Sequence, residues 1–354
     1  MTTQAILALK PLGFPWTTID PFLFCVYHDD AYPNGNAQMG PDASLAGRDM
    51  GQDFGRKDGW SMYHGTTVPG FPSHPHRGFE TVTIVRKGLI DHSDSLGATA
   101  RFGGTDAGGD VQWLTAGKGI VHSEMFPLLN QDKANPLELF QIWLNLPAKN
   151  KMVEPHFTML WAEKIPRRVD ADASGKTTEV ACIAGRIGQA PGLALPEPLQ
   201  PLAPPPDSWA SDPASDLAIW TLKMQPGARW TLPAAAGKDT RRQLYFFKGQ
   251  SVTVAGQSVA DHAAIELDAS VEVELANGLE VSEFLMLQGK PIAEPIAQYG
   301  PFVMNTQAEI HQAFADYRRT EFGGWPFSGT APVHGRETKR FAKHADGKVE
   351  TVPA

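Results

Sequence analysis

Short apolar runs bounded by turn residues set the pattern of this chain. Thr81-Val82-Thr83-Ile84-Val85 precedes Lys87-Gly88, Asp110 to Leu114 precedes Ala116-Gly117, and Leu139 to Leu144 precedes Pro147. Runs of about 4–8 such residues between Gly and Pro punctuation mark the strands of an all-β sandwich or barrel. A second set begins after residue 175. It comprises Thr178 to Ile183, Leu217 to Met224, Gln243 to Phe247, Ser251 to Val254, Val271 to Leu275 and Phe284 to Leu287. Two similar β domains in tandem are expected. Helical periodicity is scarce. The clearest helix runs from Thr306 through Arg319, with Asn305 or Thr306 as cap, Glu309 placed for a capping box, and Ile310, Phe314 and Tyr317 as its apolar stripe.

Three stretches break the pattern. Residues 30–70 are poor in apolar residues and carry the turn signals Asn34-Gly35-Asn36, Gly40-Pro41 and Gly51, so a long loop is expected, either disordered or a lid. Leu195 to Pro213 holds seven prolines and cannot donate a continuous ladder, so it reads as an extended surface loop. The tail from Thr330 to Ala354 is polar and reads as extended or frayed.

Composition narrows the class. With 42% hydrophobic residues in 354, a sizeable core is expected. The net charge of −8 and the absence of basic runs argue against general nucleic-acid binding. Cys25 and Cys182 are read as two buried thiols, because two cysteines this far apart make no disulfide framework. The first 16 residues lack the apolar core of a secretory signal, and no stretch approaches the ~20 apolar residues of a membrane span. A soluble cytoplasmic protein is expected.

The candidate chemistry lies in His74-Pro75-His76 and His122-Ser123-Glu124. On a strand, residues i and i+2 point to the same face. Two such pairs on neighbouring strands converge three imidazoles and a carboxylate on one point. That donor set suits a first-row divalent metal such as iron and leaves coordination positions open. Glu80, a few residues past His76, is a rival carboxylate. His28, His64, His92 and His156 are weaker candidates, with His92 in a polar stretch that reads as a turn. The second strand set has one histidine, His262, without a partner, so that domain is expected to hold no metal.

Phe71 to Thr83, Gly109 to Glu124, Leu139 to Pro147, Glu154-Pro155-His156 and Gln298 to Asn305 resemble the motifs of the pirin family. The resemblance is dense from about 70 to 165 and returns near 290 to 320. It implies a bicupin: two tandem antiparallel cupin (jelly-roll) β-barrels with a C-terminal helix. The expected division is a metal-binding cupin domain over 1–165, a metal-free cupin domain over 176–300, and helix and tail over 301–354.

In the family the metal is usually iron, and its ligands match His74, His76, His122 and Glu124. The family pattern favours Glu124 over Glu80, which then becomes a structural carboxylate or one that orients the ligands. The resemblance also implies a dioxygenase opening flavonols such as quercetin, with Glu124 as base and Phe79, Trp113 and Phe126 as candidate apolar walls. The alternative it implies is a non-catalytic, iron- or redox-sensing pirin that regulates a partner protein. A small aromatic substrate and a regulatory protein are the corresponding partners. The segments 30–70 and 195–213 depart from the family pattern.

Overall fold

Leu244 and Phe246 alternate with residues of the opposite face along one strand, and they meet Val180, Cys182, Trp220, Leu222, Phe284 and Met286 of neighbouring strands in a single apolar core. This period of two is the pattern expected of strands wrapped around a core. A computed structural model describes residues 5–187, 198–337 and 339–352. Its contacts divide the chain into two units, one of residues 1–26 and 164–293, the other of 27–163 and 294–354.

In the first unit, seven strands pair in the order Ile6–Pro11, Ala263–Leu267, Arg241–Lys248, Ser282–Gly289, Ala218–Met224, Thr177–Ala184, Arg167–Ala171. A four-stranded sheet, Arg229–Leu232, Val273–Asn277, Val252–Val254 and Gln257–Val259, closes the same core with Trp230, Leu232, Val254 and Leu275. The antiparallel pairing of Ile6–Pro11 with Ala263–Leu267 carries the N-terminal residues into this unit. Cys25 and Cys182 are both buried and free, as read from the sequence. In the Pro-rich segment, residues 195–197 lie outside the described residues. The remainder includes two short 3-10 turns, Trp209–Ser211 and Pro213–Ser215, each capped by the side chain before it.

The second unit carries both histidine pairs. Its main sheet runs Phe22–Asp30, Leu137–Asn145, Phe79–Lys87, Gly108–Thr115, Thr99–Thr105, Leu89–Asp94, Ile120–Met125, Gly70–His76. The chain passes from the first unit to the second within Phe22–Asp30. Both faces of Phe79–Val85 are buried, which explains why this strand reads as a continuous apolar and Thr run instead of an alternating one. Gly78 turns the chain between Gly70–His76 and Phe79–Lys87 at φ +84, where an added Cβ would meet the Val303 carbonyl oxygen at 2.0 Å. Only glycine fits there.

The Gln307–Thr320 helix starts on Thr306, whose capping box with Glu309 is complete. Ile310, Ala313, Phe314 and Tyr317 pack on Phe302 and Phe322 inside the second unit. Arg77 fixes the helix to the histidine strand, donating to Asp316 at 2.9 Å and to the Lys118 carbonyl at 2.6 Å. The described part of the tail is extended and paired. Phe341–Lys343 pairs with Val349–Thr351 and with Thr99–Thr105. The buried Asp91–Arg101 pair anchors it, accepting from the His334 amide at 2.7 Å and donating to the Gly335 carbonyl at 2.8 Å.

The 30–70 stretch is ordered, which the sequence left open. Arg48 is its centre: it donates to Asp53 at 3.0 Å and to the Trp60 carbonyl at 2.8 Å, with its guanidinium 3.3 Å from the Trp60 ring centroid. Trp60, Met62 and Tyr63 then enter the core with Phe126 and Leu128.

Candidate metal centre

His74 stands directly opposite His122 in the antiparallel pairing of Gly70–His76 with Ile120–Met125. The i, i+2 rule then places His76 and Glu124 on the same face as this pair. The Gly117-Lys118-Gly119 turn delivers the His122 strand, with Gly117 at φ +47 and Gly119 at φ +133. The three histidines offer ligand nitrogens that all lie within 4.8 Å of one another. Nε2 of His74 and Nε2 of His122 are 3.0 Å apart. Two nitrogens about 2.1 Å from one ion and at right angles to each other would be separated by about 3.0 Å. Nδ1 of His74 lies 2.9 Å from the Pro72 carbonyl oxygen. A carbonyl only accepts, so Nδ1 carries the proton and Nε2 presents its lone pair.

Glu124 lies beside this group of three, with one carboxylate oxygen 3.9 Å from His122 Nε2. Gln141 donates to Oε2 at 2.6 Å and the Thr83 hydroxyl to Oε1 at 3.3 Å. These partners also locate Glu80. The register of Phe79–Lys87 is regular from residue 79 to 85, and Glu80 is three residues from Thr83. Glu80 therefore points to the opposite face of the strand. There it is fully buried and accepts the Thr115 hydroxyl at 2.7 Å.

His76, His122 and Glu124 are buried, whereas His74 stays partly exposed, so the cluster opens on the His74 side. An aromatic group borders that side. The Phe71 ring lies 6.3 Å from His74 and stacks on Tyr63 at 5.2 Å, with Phe54, His64 and His28 within 6.4, 5.6 and 6.2 Å. Near His76, buried Phe79 and partly exposed Trp143 lie 5.1 and 5.5 Å from its ring. Of the wall candidates, Phe79 touches the cluster and Phe126 packs on Phe71 at 6.0 Å. Trp113 pairs with Val82, which puts it on the face away from Thr83. It belongs to the core.

His92 is the residue that the sequence reading misplaced. It lies on the Leu89–Asp94 strand, not in a turn, directly opposite Glu124. It is fully buried, 5.6 Å from the His122 ring, and its Nε2 lies 3.2 Å from Asp94. Asp94 is held in turn by the amides of Leu96 and Ala98. The only signal available was that Ile90 and His92 keep period two within a polar run. His28 pairs instead with Tyr63, at 2.7 Å, and Tyr63 donates to Asp30. His64 contacts the Gly51 carbonyl and His156 the Glu154 carbonyl.

Burial sets the electrostatics. It lowers His74 to about 4, and burial with the neighbouring His74 drives His76 and His122 well below the usual imidazole range. All three are neutral near pH 7 and can offer lone pairs. Burial pushes the Glu124 carboxyl above its usual value, against hydrogen bonds from Gln141 and Thr83. The donor set of three neutral imidazoles and an adjacent carboxylate fits a divalent first-row ion.

The metal-free protein should also lose stability in acid. His28 and His74 have folded values near 4, below 6.5 in the unfolded chain. The unfolded state therefore binds protons first as the pH falls, and stability declines from about 6.5 toward about 4. Asp30, which burial raises to about 6, partly offsets this, so the comparison is with His74→Gln: that variant should lose less urea midpoint across the window, and an equal loss would contradict a buried neutral imidazole at His74.

The sequence profile of the family described as Pirin matches residues 12–144, and that of the Pirin C-terminal cupin domain matches residues 219–323. A Pseudomonas aeruginosa protein named "Putative quercetin 2,3-dioxygenase" is 35% identical over 257 residues, covering 72% of this chain and 79% of its own length. Human pirin is 33% identical over 266 residues, covering 74% of this chain and 80% of its own. The chain belongs to the pirin family. A crystal structure of quercetin 2,3-dioxygenase from Acinetobacter baumannii superimposes with a TM-score of 0.66 at 28% identity, covering 90% of this pirin and 98% of that chain. The architecture is thus that of a bicupin, mostly β with one C-terminal helix. Among the described residues of this pirin, His74, His76 and His122 form the one group of three or more ligating side chains that could hold a metal. His262 is exposed and reaches the Gly249 carbonyl at 3.1 Å. No helix is long and apolar enough to cross a membrane.

Proposed function

We propose that this pirin holds one iron(II) ion on His74, His76, His122 and Glu124 and serves as a dioxygenase of flat, hydroxylated aromatic compounds of the flavonol type. The observation that carries this reading is the convergence of three neutral imidazoles beside a buried carboxylate, with an aromatic border at the partly exposed His74. When bound, such an ion supplies Lewis-acid and redox chemistry at open coordination positions. The names of the Pseudomonas and Acinetobacter relatives support the substrate class.

The chain's own residues have four tasks. His74 is oriented by the Pro72 carbonyl, which fixes its tautomer. Glu124 is the base for a substrate hydroxyl, because its burial raises the proton affinity of the carboxylate. Gln141 and Thr83 hold that carboxylate from behind, so it can take up a proton without swinging away. Phe71 and Phe54 offer ring faces and edges to a planar ligand and limit water at the His74 side, with buried Tyr63 stacked behind Phe71.

The test is oxygen consumption by iron-loaded protein with quercetin, together with identification of the ring-opened product. The proposal expects stoichiometric oxygen uptake that depends on both iron and quercetin. No uptake with one iron bound per chain would overturn it for this substrate.

A further inference from the structure

The inward face of the barrel in the first unit carries a buried cation that, among the described residues, no carboxylate touches. Arg242 precedes Leu244 and Phe246 on the same face of Arg241–Lys248, and those two enter the apolar core. Arg242 itself is 1% exposed. Its Nε and Nη2 both donate to one neutral acceptor, Oε1 of Gln288. Gln288 is its direct cross-strand neighbour, and the Gln288 amide is spent on the Asp216 carbonyl. Nη1 is buried and, among the described residues, has no hydrogen-bond partner.

Asp216 is the acidic group whose field reaches Arg242. Its Oδ2 is already used by the Gly237 amide at 2.7 Å and the Thr240 hydroxyl at 2.8 Å. A guanidinium taken out of water without an ion-pair partner is costly, and a fold keeps such a group where something else supplies the anion.

The space for that anion is present. Arg242 and Gln288, themselves almost fully buried, lie in the wall of a cavity of about 650 Å³ whose other walls include Trp220, Leu217, Pro201 and Ala235. Ligand sites have this size and this mix of apolar walls with a few placed polar groups. The remaining charged side chains that line it are Asp212, Asp216 and exposed Arg186. Asp212 is occupied in capping, accepting the Ala214 amide at 2.9 Å. One buried guanidinium nitrogen amid apolar walls suits a monoanion with an apolar body. It does not suit inorganic phosphate, whose several oxygens need several donors.

We propose that this cavity is a binding site for a small organic monocarboxylate, its carboxylate on Arg242 Nη1 and its apolar body against Trp220 and Leu217. This is a second ligand site, built from residues other than the metal centre, and it does not depend on the dioxygenase reading.

The test uses the full chain and isothermal titration with benzoate, hexanoate, benzamide and inorganic phosphate. At least one of the two carboxylates should bind saturably at one per chain. Benzamide and phosphate should bind at least about tenfold more weakly, or not at all, because neither supplies an apolar monoanion. Arg242→Gln should lose carboxylate affinity by about tenfold or more, whereas His76→Ala should leave it unchanged. Absence of saturable binding by both carboxylates would overturn the proposal. So would equal affinity for benzoate and benzamide, retention in Arg242→Gln, or loss in His76→Ala, which would place the ligand on the metal centre. The comparison of benzoate with benzamide in the unsubstituted protein decides the matter even where the Arg242 variant fails to fold.

Discussion

Replacing His76 with Ala should abolish iron binding at the proposed centre. The side chain is buried between the His74 and His122 rings, at 4.8 and 4.9 Å, and Phe79 and Trp143 fix its plane. Losing it leaves two imidazoles and one carboxylate, and no nearby group can substitute. His92, the next imidazole, is engaged with Asp94. Losing a group that only orients a ligand costs roughly 10–100-fold in metal affinity, and losing a ligand should cost more. Iron per chain, measured by elemental analysis after desalting, should drop from about one to below about a tenth. Oxygen uptake with quercetin should fall to background with it. His76→Gln, which refills part of the cavity, separates ligand loss from a packing defect. Full iron retention in either folded variant would refute the ligand assignment.

Glu124→Gln should separate binding from turnover. The amide keeps the shape of the carboxylate and can still offer an oxygen. It loses the charge and the ability to accept a proton. Gln141, which now donates to Oε2, then faces an amide in place of a carboxylate. Iron should bind more weakly yet remain loadable at excess metal. Turnover at full loading should fall by about 10²–10⁴, the usual contribution of a positioned base. The control is Glu80→Gln. Glu80 faces away from the cluster and accepts from Thr115, so an amide there keeps the bond, and both iron content and turnover should stay near the unsubstituted values. A Glu80 variant that lost turnover while Glu124→Gln kept it would reverse the two carboxylates' roles.

The features that were legible in the sequence are those governed by local rules. Short apolar runs before turn residues in Thr81 to Val85 and in Gln243 to Phe247 marked strands, and the Thr306/Glu309 pair marked the helix start. The i, i+2 spacing of His74/His76 and His122/Glu124 implied a shared face, and the register delivers it. Features that depend on pairing across long separations were not legible. His92 looked like part of a turn because a buried polar strand and an exposed loop share a composition. Only its partner Glu124, 32 positions later in the numbering, shows which it is. Whether the 30–70 segment is ordered stayed open because its order rests on Arg48 and Trp60 and on entry of Tyr63 into a core built from later strands. Arg242 gave no signal beside Arg241, since a charged residue at a strand start is commonly exposed. Arg241 is exposed, and one position on, Arg242 is not.

The most direct test of the metal centre is X-ray absorption at the iron edge of protein loaded with one iron(II) per chain. The account predicts a first coordination sphere of nitrogen and oxygen, with three imidazoles at about 2.1 Å and no sulfur. The imidazole signal should be lost in His122→Ala. A spectrum with fewer than two imidazoles, or one unchanged by His122→Ala, would contradict it.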